Sequence, residues 1–280
     1  MTNGRTRILA VIDPTRPEQW SLRKAISIAK GQTDAAVYAF LCTYTAQESD
    51  EPSELRTAEL RRKSIWLDEI LAEEKHQGTD IEKVVEWDED WQEAICEFAD
   101  ANRIDIVVKR ASGRPDSLTS SDRRLIRSLK SALLLVKHDP ARDVRKVLMA
   151  LDYHAADESH QRLNDAIVDF ARRLRGTNDA IELHAACAYP DSDHFVHPPD
   201  IAKKLGIDRS RAHVRQGKAG NVIPRLANKI DADLVIVGSV GRHGLSGFTI
   251  GNTAEKILTD ISADVLVLVR EAEARRSAAA

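Results

Sequence analysis

Short apolar runs without polar alternation recur along this chain, at residues 8–12, 133–136, 234–237 and 265–269. Such a run predicts a strand covered on both faces, and strands of that kind belong to parallel sheets. Parallel neighbours need a crossover, usually a helix. The intervening stretches supply one each time. Residues 21–30 place Leu22, Ala25, Ile26 and Ala29 on one helical face, and residues 91–102 do so with Ala94, Ile95 and Phe98. A long charged helix is predicted over 51–76, with Leu60, Ile65, Leu67, Ile70 and Leu71 as its apolar positions. Strands at 35–44, 81–87 and 104–108 and a helix at 121–130 complete an alternating β/α order. That order implies a parallel sheet with helices on both faces.

The pattern then starts again. Residues 144–151 form an apolar run that ends in Asp152, as residues 8–12 end in Asp13. A helix at 165–174, strands at 181–187 and 213–215, and a helix at 221–229 follow. The runs at 234–237 and 265–269 answer those at 104–108 and 133–136. This is an internal duplication with a period near half the chain. The joint falls at 138–143, around Asp139-Pro140. The expected domains are therefore 1–140 and 141–270, with a polar, alanine-rich tail at 271–280. The copies differ in one insert. Between Tyr189 and His213, Pro190, Pro198 and Pro199 leave room only for a short helix at 201–205, where the first copy has its long one.

The second copy carries the chemically suggestive stretch. Its strand at 234–237 runs into Gly238, Gly241, Gly244 and Gly247, then Gly251-Asn252-Thr253-Ala254-Glu255. Glycine at every third position clears Cβ atoms from the loop, so that several N–H groups can face one anion. Asn252 is a suitable N-cap with Glu255 as its capping-box partner, and Ala254, Ile257, Leu258 and Ile261 then mark one helical face. Strand, glycine loop and helix N-terminus in that order suit a phosphate. A self-capped turn without ligand is the competing reading. The loop has no Gly-x4-Gly-Lys-Ser/Thr, and no Gly-x-Gly-x-x-Gly follows the first strand, so neither a Walker loop nor a dinucleotide fold is supported.

The spacing Gly238-x2-Gly241-x9-Gly251-Asn252 resembles the ATP-binding signature of universal stress proteins. Ala232-Asp233-Leu234 before the strand and Ala254-Glu255 in the helix fit as well. Asn252 departs from it, since a Ser or Thr is usual there. The resemblance, together with the duplication, implies two tandem flavodoxin-like, adenine-nucleotide-hydrolase-like domains. Each would be a five-stranded, mostly parallel α/β sheet with helices on both faces. It implies an ATP-binding regulator of the stress response, with Mg2+ bridging the phosphates. Asp152 would contact adenosine and Ala185 would meet adenine through its backbone. Gly238, Gly241, Gly251, Asn252 and Thr253 would hold ribose and phosphate. Arg242, with His243 the cationic side chains of the loop, would either screen phosphate charge or be solvated. It further implies that the last strands, 133–136 and 265–269, pair as an internal pseudo-dimer of the two halves, and that such edges can also join two chains.

The first copy lacks the signature. Aligning its Val108-Lys109 with Val237-Gly238 puts cationic side chains where a backbone cradle is needed, and Pro115 removes a donor. One site per chain is expected, in the second half. Lys109, Arg110, Arg114 and Arg123 would be either a separate anion site or a solvated face.

A net charge of −3 gives no electrostatic case for nucleic acid. No apolar run approaches the ~20 residues of a membrane span. Asp13 stops the first apolar run too early for a signal peptide. Cys42, Cys96 and Cys187 are isolated, which predicts a reduced cytoplasmic protein without zinc. His194 and His197 stand near Asp191 and Asp193, but a proline-rich exposed loop commonly carries such residues, and no metal is expected. No Gly-x-Ser-x-Gly or His-Glu-x-x-His motif is present, so catalysis beyond slow ATP hydrolysis is not expected. A nucleotide-free interaction protein of the same fold is the alternative reading.

Overall fold

The computed structural model describes residues 5–46, 52–74, 78–111, 118–140, 142–153, 158–239, 242–244, 247–249 and 252–269. Of residues 242–244, 247–249 and 252–254 it describes the backbone. The chain forms two compact units, residues 1–110 and 111–280.

Unit 1 contains β1 (Thr6–Val11), α1 (Trp20–Lys30), β2 (Ala35–Thr43), α2 (Pro52–Glu73), β3 (Asp80–Trp87), α3 (Trp91–Ala101) and β4 (Ile106–Arg110). Its strands run parallel in the order β3-β2-β1-β4. Ile8, Leu9 and Ala10 of β1 are wholly buried, as a strand covered on both faces must be. Asp90 caps α3 by accepting from the Glu93 N–H at 3.1 Å. On α2 the expectation fails at one position: Leu67 is buried, but Ile65 is 53% exposed. Two residues along a helix is more than half a turn, so both cannot face the sheet.

Unit 2 contains α4 (Ser120–Ser128), β5 (Ala132–Val136), β6 (Lys146–Leu151), α5 (Glu158–Thr177), β7 (Glu182–Tyr189), α6 (Pro198–Leu205) and β8 (Ala212–Gln216). It continues with α7 (Ala219–Ile230), β9 (Leu234–Ser239), β10 (Arg242–Gly244), β11 (Gly247–Thr249), α8 (Asn252–Asp260) and β12 (Asp264–Val269). The strand order is β5-β12-β9-β6-β7-β8. All neighbours are parallel except β5 and β12. The short helix expected at 201–205 is α6, opened by Pro198 and closed by Gly206 at φ 67. The tail at 271–280 lies outside the described residues.

β5 and β12 show what the duplication does. Leu134 pairs with Leu266, each the third residue of its strand. The flanking pairs, Leu135 with Val265 and Leu133 with Val267, exchange equivalent positions. The two final strands are thus related by a local two-fold at Leu134 and Leu266, the arrangement of an isologous interface. The ion pair between Arg123 Nε and Glu255 Oε1, at 2.6 Å, joins α4 to α8 in the same manner, since each is the fourth residue of its helix. The halves therefore form an internal pseudo-dimer through these strands. β12 has β5 on one side and β9 on the other, so it offers no edge to a second chain.

Candidate functional site

In doubly wound sheets, ligands bind outside the carboxyl ends of the strands, where strand order reverses. In unit 2 this point lies between β6 and β9. Met149 pairs with Ile236, and continuing that register brings Asp152 level with Ser239. Asp152 is exposed, and its backbone is clamped from α5. The Asp152 N–H donates to Asn164 Oδ1 at 3.0 Å, and Asn164 Nδ2 donates to the Asp152 carbonyl at 2.7 Å. Unit 1 builds the same clamp with another amide. The Asp13 N–H donates to Gln19 Oε1 at 3.0 Å, and Gln19 Nε2 donates to the Asp13 carbonyl at 2.9 Å. Asn164 and Gln19 escaped the sequence reading; the signal is a lone amide on or beside an apolar helical face.

Gly238 is explained by packing. A Cβ built on it would lie 2.3 Å from Leu163 Cδ2, so glycine is what lets α5 approach β9. Ser239 points to the opposite face, as the next residue of a strand must. Its hydroxyl is buried and, among the described residues, has no hydrogen-bond partner. Ala185 lies upstream of the strand end. It sits in mid-strand, paired with Met149 on one side and Ala212 on the other. Leu151 pairs with Cys187, so Ala188 is the residue level with Asp152, roughly 10 Å further along the strand than Ala185.

Between β9 and α8 the chain is not an irregular loop throughout. β10 and β11 form an antiparallel hairpin in which Arg242 pairs with Thr249 and Gly244 with Gly247. Gly241 and Gly251 lie outside the described residues. Asn252 and Thr253 open α8, so Glu255 stands fourth in the helix, one place past the capping-box position. Its carboxylate is engaged by Arg123, and its charge is met there rather than by the helix dipole alone.

The two units also align differently from the sequence reading. Asp105 accepts from the Arg7 N–H at 2.9 Å, and Asp233 accepts from the Lys146 N–H at 2.9 Å. Ile8 pairs with Ile106, and Val147 with Leu234. These equivalences place Arg110, not Lys109, where unit 2 has Gly238.

A sequence model described as the "Universal stress protein family" matches residues 4–137 and again residues 144–270. The chain belongs to the universal stress protein family. Universal stress protein E of Escherichia coli K12 is 28% identical over 93% of this chain and 93% of its own. The Universal stress protein E homolog of Haemophilus influenzae is 26% identical over 92% of this chain and 96% of its own. The crystal structure of a putative universal stress protein from Pseudomonas aeruginosa superposes with a TM-score of 0.77 at 27% identity, covering 99% of both chains. One from Archaeoglobus fulgidus, at 15% identity and TM-score 0.72, shares the fold. The likeness runs through both copies, which makes this a tandem universal stress protein.

Among the described residues, no group of three or more His, Cys, Asp or Glu converges. His194 Nδ1 meets Asp191 Oδ1 at 2.6 Å on the surface, which raises the His194 pKa and lowers that of Asp191. Burial pushes the Cys187 thiol up to about 12 and the Cys42 thiol up to about 11, so neither is a ready nucleophile. No described helix is long and apolar enough to cross a membrane.

His184, which is buried, and His213, which is half-buried, form a pair at β7 and β8. His184 Nδ1 lies 3.1 Å from His213 Nε2, with ring planes 5° apart and centroids 5.4 Å apart. The nitrogens lie between the centroids, so the rings meet edge to edge and share one proton. His184 Nε2 lies 3.6 Å from Glu182 Oε2, which is beyond hydrogen-bonding distance. Burial, His184, Arg215 and Lys229 push His213 down to about 4 from its ordinary 6.5. Between those values the unfolded chain binds more protons than the folded one, so stability falls as pH drops from 6.5 towards 4. Melting curves across that window should decline less steeply for His213→Gln than for the wild type. Parallel curves would exclude His213 as the cause.

Proposed function

We propose that unit 2 binds an adenine nucleotide, ATP foremost, at the carboxyl ends of β6 and β9, and that the protein acts as a nucleotide-dependent regulator in the stress response. The observation that carries this reading is one alignment. Asp152, the end of β9 and the start of α8 belong to one strand-order reversal, and the Glu255 carboxylate in α8 is already held by Arg123. An anion can then meet the helix dipole at the first turn of α8. Asp152 contacts the adenosine. Ala188, rather than Ala185, meets the base at the strand end. The Ser239 hydroxyl has an unfilled hydrogen bond beside them. Gly241, Arg242, Gly251, Asn252 and Thr253 serve ribose and phosphates, with Mg2+ bridging the latter. Gly238 acts through packing. The free cysteines favour a cytoplasmic setting.

The test is calorimetric titration of nucleotide-stripped protein with Mg-ATP. One site per chain is expected, abolished by Gly241→Val and Gly251→Val and retained in Lys109→Ala. At one hundred times Kd, ATP should stabilise the protein by about 2.7 kcal/mol. Absence of both heat and thermal shift would overturn the proposal in favour of a nucleotide-free interaction protein.

A further inference from the structure

Unit 1 has its own strand-order reversal, between β1 and β4, and a different chemistry stands there. Arg110 ends β4 in the place of Gly238. Its guanidinium lies over the Trp20 ring at 3.6 Å from the centroid, at the start of α1. Stacking holds the fork flat. Among the described residues, no hydrogen bond or ion pair reaches that guanidinium. Burial and then the nearby Arg16 lower its pKa, so the cation sits partly desolvated beside a second one.

The neighbouring carboxylates are already engaged. Asp13 Oδ1 accepts from the Thr15 N–H at 3.0 Å and from Thr15 Oγ1 at 2.6 Å, while Oδ2 lies 3.6 Å from Arg16 Nε. Glu18 Oε2 accepts from Trp20 Nε1 at 3.1 Å. Lys109 is on the opposite sheet face, 5.7 Å over Trp91, and its ammonium donates to the Arg110 carbonyl at 3.0 Å. Arg123 is held by Glu255, and Arg114 lies outside the described residues. Of the cations considered from sequence, Arg110 alone remains poised at this point, and Arg16 joins it.

We propose that unit 1 binds a small phosphate-bearing anion outside β1 and β4, through Arg110 with Arg16. A planar guanidinium fixed by an aromatic ring matches the two-oxygen edge of a phosphate and gives bidentate hydrogen bonds. Lys109 adds positive potential from behind. No glycine cradle is needed, and no base recognition is implied. Phosphate, pyrophosphate and phosphomonoesters share the required chemistry. The site is independent of the nucleotide proposed for unit 2.

Pyrophosphate titrated into the full, nucleotide-stripped chain should give a saturable change in tryptophan fluorescence, because Trp20 touches the cation that binds. Arg110→Gln should weaken binding at least tenfold, and Arg16→Gln severalfold. Trp20→Phe should remove most of the optical signal, and Gly241→Val should leave the affinity unchanged. Phosphate and a phosphomonoester, used as competitors, rank the sources of the group. Arg16 is exposed, so its variant keeps the fold should Arg110→Gln fail to; calorimetry on Arg16→Gln then decides. Unchanged affinity in the arginine variants, or loss in Gly241→Val alone, would overturn the proposal. So would the absence of binding at high millimolar pyrophosphate.

Discussion

Replacing Gly238 with alanine should destabilise unit 2 by about 1–3 kcal/mol, although a single methyl is added. The new Cβ would lie 2.3 Å from Leu163 Cδ2 and 2.4 Å from its Cγ. The second of these is a branch point, so a turn of the leucine tip does not relieve the clash. Either α5 withdraws from β9 or Leu163 leaves its rotamer. For a unit of this size, the loss corresponds to a fall of roughly 3–10 °C in melting temperature. Leu163→Ala alone should cost about 2–5 kcal/mol, because Leu163 is buried at 5% exposure. The double variant should lose clearly less than the sum, since the alanine methyl occupies space that the leucine vacates. A double-mutant cycle by urea denaturation measures this coupling, and strict additivity would refute the packing account. The variant also bears on function. On the proposed nucleotide site, Gly238→Ala should lower the affinity for ATP through the shift of α5, which carries the Asn164 clamp on Asp152.

The second large effect is expected at Lys137, just beyond β5. Its ammonium donates to the Leu258 carbonyl at 2.8 Å and to the Ile261 carbonyl at 2.6 Å, closing the end of α8. Its backbone N–H donates to Asp264 Oδ1 at 2.8 Å, and Asp264 is buried at the start of β12. Lys137→Met keeps the stem and removes only the charge and its donors. Two carbonyls are then left in a buried setting, which should cost about 2–4 kcal/mol. The loss should be local as well as global, with amide exchange accelerated in the last turn of α8 before that in β6 and β7. An unchanged denaturation midpoint would mean that water replaces the ammonium. This contact joins the end of one repeat to the last helix of the other, so the variant also tests the internal pseudo-dimer.

Much of the fold was legible before the structure. Continuous apolar runs predicted covered strands, and residues 234–237 and 265–269 became β9 and β12, the latter buried throughout. Pro198 and Gly206 mark the ends of α6 by backbone chemistry that needs no tertiary partner. Other points were not legible. Strand periodicity tells which face Ala185 takes but not that Ala188 is the residue level with Asp152, which the ladder of Leu151 with Cys187 decides. Lys109 and Arg110 are adjacent cations, and sequence cannot choose between them as the counterpart of Gly238. The ladder from Ile8 to Ile106 does. That Gly238 has a packing role was likewise hidden, because a loop glycine and a packing glycine read the same until Leu163 is seen against it.

The sequence by itself determined the α/β class, the duplication and the strand–glycine–helix stretch of the second copy. Those features follow from local periodicity and from backbone freedom at single residues. Only the tertiary structure decided that β5 pairs with β12 about Leu134 and Leu266, that Arg123 holds Glu255, and that Arg110 rests on Trp20. Each joins residues far apart in the chain, and local pattern encodes whether a side chain will be buried but not which distant partner will bury it.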